Sequence, residues 1–213
     1  MTTLSSNRIL SIYNSRNIIL KHLANVGFDT TGYMDFSINE IDLMYSKTQL
    51  DMILAREPIE KFGAKVYVKY FLESKQLRPN NLDDIVEDLF IIDTVLDKTD
   101  TLIIIVNEEP NDTILTKVKY LYDKDGIFVV IHNIQRLQYN ILEHVLVPHL
   151  TVLGTEETAK LFVTYNLKDA MNLPKISRFD PQALAAMVRP GQICKFLRKS
   201  ATAMTTDYYR VCV

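Results

Sequence analysis

Glu73-Ser74-Lys75 has the spacing of an acid-x-lysine arm. In a metal-dependent nuclease such an arm lets the carboxylate hold magnesium while the lysine orients an attacking hydroxide, and an upstream acid such as Asp51 would be the second ligand. A Glu-x-Lys triplet is common by chance, so the arm is the weaker reading. Asp83, Asp84, Glu87 and Asp88 form an acidic group that a cation could use, but carboxylates at the start of a helix favour its dipole and its solubility. The four histidines, His22, His132, His144 and His149, are scattered, and no nucleophile pairs with them. Cys194 and Cys212 fit no zinc spacing and read as reduced, buried thiols in two strands that could bring them face to face. There is no phosphate loop and no dinucleotide fingerprint. The residues therefore predict no catalytic group, no metal and no cofactor.

The elements that would position these residues follow from periodicity. Ile9, Leu10, Ile12, Tyr13, Ile18, Ile19, Leu20, Leu23 and Val26 recur at helical spacing, with Ser5 or Ser6 as cap and Gly27 as the stop. Asn39 to Met52 reads as a second helix, and Pro58 interrupts the chain. Ala64–Leu72 alternates like a half-exposed strand. Leu82, Ile85, Val86, Leu89, Phe90 and Ile92 mark an amphipathic helix after the break at Pro79. The apolar runs Leu102–Val106 and Ile127–Ile131 read as central strands on either side of a helix over Thr113–Tyr122. Strand, helix, strand twice over is an α/β (α+β) signature: a small sheet with helices packed against it. Past a junction at Leu137–His149, Thr151–Leu153 is extended and Thr155 caps a helix carrying Leu161, Phe162, Tyr165 and Leu167.

The last stretch, Leu173 to Arg210, is punctuated by Pro174, Pro181 and Pro190, so it is not one helix. Lys175-Ile176-Ser177 is extended. Asp180-Pro181 places a cap before a proline suited to the first helical position, opening a turn over Gln182–Met187. After Pro190-Gly191, Gln192–Leu197 is a strand, polar Ser200–Asp207 a connection, and Tyr208–Val213 a second, antiparallel strand.

Composition limits the remaining classes. With 213 residues, 47% hydrophobic and 23% charged, the chain is globular and holds one large domain or two small ones. The net charge of −2 does not announce a nucleic-acid binder, although Lys and Arg outnumber Asp and Glu nine to six over 143–213, against fifteen to twenty over 1–142. Asn7, Arg8, Asn14, Arg16 and Asn17 interrupt any signal-like core, and no window approaches a membrane span, so a soluble, non-secreted protein is expected.

The order Leu-Pro-Lys-Ile (173–176), Asp-Pro (180–181), Arg-Pro-Gly-Gln (189–192), Arg-x-Ser-x-Thr-Ala (198–203) and Tyr-Arg (209–210) resembles the C-terminal domain of the fifth, shared subunit of the eukaryotic nuclear RNA polymerases, a domain that stands alone as a small polymerase subunit in archaea. The resemblance covers roughly Leu137–Val213. Leu137–Ile141, Glu143-His144 and Leu146–His149 are similar to the segment joining the two domains of the eukaryotic form, and a long N-terminal half points to that form. Departures are Lys199 in place of proline, Ala201 in place of glutamate, Met187 where glycine is common and Met204 where a small residue falls. Such drift suits a divergent copy, for instance one encoded by a large DNA virus.

The resemblance implies an N-terminal jaw domain (1–142) with a small sheet and packed helices, and a C-terminal assembly domain (143–213) with a small mixed sheet and helices. It implies a non-catalytic subunit and not an enzyme, docked by the second domain on the largest polymerase subunit, with the jaw lining the downstream DNA cleft. The docking residues it points to are Pro174, Lys175, Ile176, Asp180, Pro181, Arg189, Gly191, Arg198, Ser200, Thr202, Tyr209 and Arg210. Ile176, Met187 and Tyr209 are either apolar anchors of that surface or internal core. His144 would hold the two domains together by a hydrogen bond. The loop Pro110, Asn111, Asp112 and Thr113 would approach DNA weakly and without sequence preference, although Glu108, Glu109 and Asp112 repel phosphate and Asn111, Asp112 or Thr113 serves equally as a helix cap. Partners are then the largest and other polymerase subunits and double-stranded DNA, with no membrane and no small-molecule substrate. The location is intracellular: the nucleus in a cellular eukaryote, or virion and host cytoplasm or nucleus for a viral copy. The rival readings are the nuclease of Glu73 and Lys75 and a free transcription adaptor.

Overall fold

In the computed structural model, which describes residues 2–56 and 65–213, the chain separates into a first unit ending at Tyr139 and a second running Asn140–Val213. The first opens with α1 (Thr2–Val26), which contains Ser5 and Ser6; no breaker precedes them, so neither is the cap expected there. Ile12, Ile19, Leu20 and Leu23 are buried on one side of α1, together with Ser15, Arg16 and His22. Gly27 closes the helix at φ +98, with its N–H donating to the Ala24 carbonyl and the Phe28 N–H to the Leu23 carbonyl, each at 3.0 Å. This two-bond closure needs a left-handed residue, which only glycine adopts without strain.

Helix α2 (Ile38–Ser46) starts in a capping box: Ser37 Oγ accepts from the Glu40 N–H, and the Glu40 carboxylate accepts from the Ser37 N–H at 2.7 Å. It stops at Lys47, and Thr48 turns left-handed at φ +53. The helix expected through Met52 is thus corrected. Met52 opens strand β1 (Met52–Ala55), in which Met52 and Leu54 are buried and Ile53 faces out. Four residues are too few for periodicity to separate a strand from a helix end.

Strands β2 (Lys65–Phe71), β3 (Thr101–Val106) and β4 (Phe128–Asn133) complete a sheet in the order β1-β2-β3-β4. The first pair is antiparallel and the next two are parallel. The breaks read at Pro58 and Gly63, and Ala64 at the head of the next strand, lie outside the described residues. Helix α3 (Pro79–Glu87) connects β2 to β3, and α4 (Asp112–Tyr120) connects β3 to β4. Strands β3 and β4 are buried throughout, as crossover helices on a parallel sheet require. Each crossover helix ends in a π-helical turn, Asp88–Ile92 and Leu121–Asp125. The wider turn explains a second correction: Leu89 stays in the core, but Ile92 swings out to 65% exposure.

Two buried polar groups of α1 face this sheet. Arg16 Nη1 donates to the Leu50 carbonyl at 3.0 Å, and its guanidinium lies over the Tyr33 and Phe36 rings at 5.7 and 5.3 Å. The His22 ring lies 6.5 Å from that of His132 on β4. Burial, with the nearby His22 and Arg136, holds the His132 pKa down to about 3.

In the second unit, β5 (His149–Val152), β6 (Lys175–Ile176), β7 (Ile193–Ser200) and β8 (Met204–Cys212) form a mixed sheet in the order β5-β7-β8-β6. Helix α5 (Thr155–Thr164) follows β5, and α6 (Pro181–Ala185) follows β6. Gly154, not Thr155, is the N-cap of α5; its N–H donates to the Glu157 carboxylate at 3.1 Å. The two mixed sheets with packed helices give the α+β class read from the sequence. One sheet face packs Ile176, Cys194, Phe196 and Cys212 against Ala183 and Val188. On the other face Tyr165, just after α5, meets Tyr209 edge to face at 5.7 Å.

Two outcomes follow for stability. Gly27→Ala forces an L-residue into a left-handed turn although its Cβ would have space, 3.6 Å from Arg56 Cδ; a loss of about 1–2 kcal/mol is expected by denaturant titration. Gly32→Ala, in open space, should be neutral by comparison. Because the His132 pKa lies below its ordinary 6.5, its neutral form adds stability that is complete above about that pH and is lost as pH falls toward about 3. The slope is at most about 1.4 kcal/mol per pH unit. His132→Gln should flatten the acid limb of a stability–pH curve, and an unchanged limb would count against this account.

Candidate subunit-docking surface

The motif residues of the second unit are placed mainly by main-chain hydrogen bonds. Val211 N–H donates to the Pro174 carbonyl, Val213 N–H to Ile176 and Arg178 N–H to Val213, each at 2.9 Å. Leu-Pro-Lys-Ile is therefore the short parallel strand that takes up the free edge of β8. Asp180 Oδ1 accepts from the Gln182 N–H at 2.9 Å and Pro181 sits in the first turn, which is the cap-and-proline arrangement read in the sequence. Gln182 Nε2 then reaches the Pro148 carbonyl at 2.6 Å.

Arg-Pro-Gly-Gln forms a turn whose chemistry dictates those residues. The Gln192 N–H donates to the Arg189 carbonyl at 3.1 Å, and Gly191 has φ +86. Proline at the second position and a left-handed glycine at the third define a type II turn. The Gln192 side chain accepts from the Arg189 N–H at 2.8 Å, and the Gly191 N–H and Gln192 carbonyl both bond Cys212 at 2.9 Å. The turn is thereby fixed to the last strand.

Strands β7 and β8 pair from Ile193↔Val211 to Ser200↔Met204, whereas β5 covers β7 only up to Leu197. Residues 198–206 thus form a two-stranded arm beyond the sheet. The connection expected over Ser200–Asp207 is corrected to a turn at Ala201–Ala203, because cross-strand pairing outweighs the low apolar content there. Ser200 Oγ organises the turn by accepting from the Thr202 and Ala203 N–H groups at 3.4 and 3.3 Å. Arg198 and Arg210 both lie over the Tyr208 ring, at 4.4 and 5.3 Å, and Arg210 Nη1 also donates to the Lys175 carbonyl at 3.2 Å. Stacking on an aromatic face holds a guanidinium in place while leaving it charged.

The structure brings Lys175, Arg198, Tyr208 and Arg210 together through these contacts. Pro174, Lys175, Pro181, Gly191, Arg198 and Thr202 are exposed, while Asp180, Arg189, Ser200, Tyr209 and Arg210 are half-buried. Ile176 is core, and Met187 and Tyr209 are half-buried, so among the apolar anchors considered Ile176 belongs to the domain interior. Tyr208, the platform for both arginines, carried no signal in the sequence beyond its strand position. Cys194 and Cys212 are free; Cys194 is opposite Arg210, so the two thiols do not face each other directly. Burial pushes them up to about 12 and about 11. His144 Nδ1 accepts from the Leu146 N–H at 3.3 Å, a local bond.

In the first unit, Asn111 caps α4 by accepting from the Ile114 N–H at 3.1 Å, leaving Pro110 before the cap and Asp112 and Thr113 in the first turn. The preceding acids are neutralised within the fold. Glu108 pairs with Lys75 at 3.5 Å and accepts from Gln76 at 2.9 Å, and Glu109 accepts from Arg136 at 2.6 Å and from Asn133 at 3.3 Å. Asp51 is taken up by the Tyr67 hydroxyl and the Tyr70 N–H, each at 3.0 Å, and by Lys69 at 3.7 Å. Asp51 and Lys75 thus have separate partners. Among the described residues no three His, Cys, Asp or Glu side chains converge as a metal site, and no helix is long and apolar enough to cross a membrane.

A second unit built on a β7–β8 hairpin, a short parallel strand on its edge and a Pro-Gly turn fixed to its last strand coincides with a known domain. The family described as RNA polymerase Rpb5, C-terminal domain, matches residues 139–212. The DNA-directed RNA polymerase subunit Rpo5 of Pyrococcus abyssi is 42% identical over 76 residues, 36% of this chain and 92% of the relative. Its namesake in Staphylothermus marinus is 44% identical over 78 residues, 37% of this chain and 85% of the relative. The DNA-directed RNA polymerases I, II, and III subunit RPABC1 of Caenorhabditis elegans is 44% identical over 77 residues, 36% of either chain, so the match spans about a third of that relative's length. The chain belongs to this Rpb5-type family of RNA polymerase subunits.

One position in the arm is strained. Met204 has φ +57 and is 85% exposed, so it carries a left-handed penalty with little packing in return. Met204→Gly should raise stability by about 0.5–1 kcal/mol, read as a higher thermal midpoint. A lower midpoint would mean that the side chain does more than the contacts indicate.

Proposed function

We propose that the chain is a non-catalytic subunit of a multisubunit DNA-directed RNA polymerase, held to the largest subunit by its second unit. The observation that carries this is that one folded unit of the chain, with its own core and sheet, corresponds to 92% of an archaeal polymerase subunit at 42% identity. The surface made by Lys175, Arg198, Tyr208 and Arg210, with the Arg189–Gln192 turn, is the docking face. Charge fixed by stacking gives orientation and specificity, and the half-buried Met187, just before the Arg189–Gln192 turn, adds apolar contact. The phosphodiester chemistry and its magnesium belong to the large subunits. The chain works where that polymerase works: the nucleus in a cellular eukaryote, or virion and host cytoplasm or nucleus for a copy from a large DNA virus.

The first unit serves as the jaw beside downstream DNA. The pairing of Glu108 with Lys75 and of Glu109 with Arg136 lowers the repulsion that this loop would exert on phosphate, which supports a weak, sequence-independent approach by Pro110–Thr113.

Affinity purification of the tagged chain from its native source tests the reading. The two largest polymerase subunits should co-elute with wild type, and an Arg198→Glu/Arg210→Glu variant that melts like wild type should lose them by about tenfold or more. Absence of any polymerase subunit from the wild-type eluate would overturn the proposal and leave the free adaptor and the nuclease as the readings to test.

A further inference from the structure

The outer ridge of α3 has features that the polymerase-subunit reading does not use. Ile91 and Ile92 are 69% and 65% exposed, side by side, at the end of the helix. They are exposed because the helix widens into a π-helical turn there: the Asp93 N–H bonds the Asp88 carbonyl at 2.8 Å, and Leu89 alone continues the buried stripe. The turn is then closed by Thr94 at φ +46. A β-branched residue in the left-handed region costs on the order of 1–3 kcal/mol, and π-turns and such strain concentrate where a surface is used. An ordinary α-helical end with glycine in place of Thr94 would avoid that strain.

Charge states what this apolar end receives. Asp84, Glu87 and Asp88 run along the same side of α3 at helical spacing, and Asp93 follows the isoleucines; all four are exposed. None of these four makes an ion pair among the described residues, although Asp83, on the neighbouring side, is bound by Lys117 at 2.9 Å. An acidic helix face would be soluble without isoleucines, and two isoleucines would be hidden if they served only the core.

We propose that the α3 ridge docks a basic amphipathic segment of a partner protein, its apolar side on Ile91 and Ile92 and its lysines or arginines along Asp84, Glu87 and Asp88. Complementary charge steers and orients the segment, and the isoleucines provide the buried contact. Nucleic acid is excluded as occupant by the sign of the charge.

A photo-crosslinking residue at Ile91 of the full chain, expressed in its native source, tests this, with the captured peptide sequenced by mass spectrometry. The expected peptide comes from another protein, is rich in Lys and Arg and carries apolar residues at helical spacing. Capture should fall about tenfold in the Asp84→Lys/Glu87→Lys variant and in raised salt. A neutral or acidic peptide, a second copy of this chain, nucleic acid, or no capture would each overturn the proposal, as would capture indifferent to the charge reversal. Recovery of polymerase subunits through the second unit is a separate readout, so the two readings fail independently.

Discussion

The second unit depends on the hydrogen bonding of its last three residues. A buried main-chain N–H or carbonyl left without a partner costs about as much as a lost hydrogen bond, and Val211 and Cys212 are fully buried. Their main-chain groups are shared between two stretches of the chain: Pro174 to Ile176 on one edge and, on the other, the Pro190-Gly191 turn together with the β7 strand into which it leads. That requirement fixes where each motif lies. Leu-Pro-Lys-Ile must be extended to reach the edge of β8, and Arg-Pro-Gly-Gln must reverse the chain so tightly that Gly191 and Gln192 both meet Cys212.

Polar display follows from the same ladder. Strand alternation sends Cys194, Phe196 and Cys212 into the core, and beyond the last residue covered by β5 the same face of β7 and β8 carries Arg198 instead. Tyr208 lies at the boundary, packed against the core and with two guanidinium groups over its ring. A basic surface can be rigid there because an aromatic ring anchored in the core supports it. Lys195, on the opposite face, is instead paired with Asp207 at 2.8 Å and contributes no free charge.

What could be read from the sequence was what local chemistry determines. Asp180-Pro181 announced a capped helix start, Gly27 a helix stop, and the continuous runs at Leu102 and Ile127 announced buried strands; each interaction lies within a few residues. Features set by distant partners were missed. Strand β1 is a strand because β2 pairs with it, and Ser200 and Thr205 are in strands because they pair across the hairpin. The exposure of Ile92 was missed for a local reason, since the π-turn that adds a residue to the helix end leaves no mark in the 3.6-residue apolar period. At the site, the positions of Arg198 and Arg210 were visible as motif residues. Their convergence on Tyr208 was not, since that requires the register of β7 against β8.

Left-handed residues other than glycine show where shape has taken precedence over local preference. Met187 and Met204, where the resembled family has glycine or a small residue, keep φ +49 and +57 despite their side chains. The backbone path is retained and the strain accepted, because Met187 leads the chain from α6 toward the Arg-Pro-Gly-Gln turn and Met204 reverses it at the tip of the β7–β8 arm. Relaxing either into a right-handed conformation would redirect the chain just before Val188 enters the core or just before Thr205 pairs with Lys199. The main-chain path around the proposed docking surface is therefore more tightly constrained than the side chains it carries, and a copy of this domain can change the outward residues of its motifs while the ladder holds them in the same places.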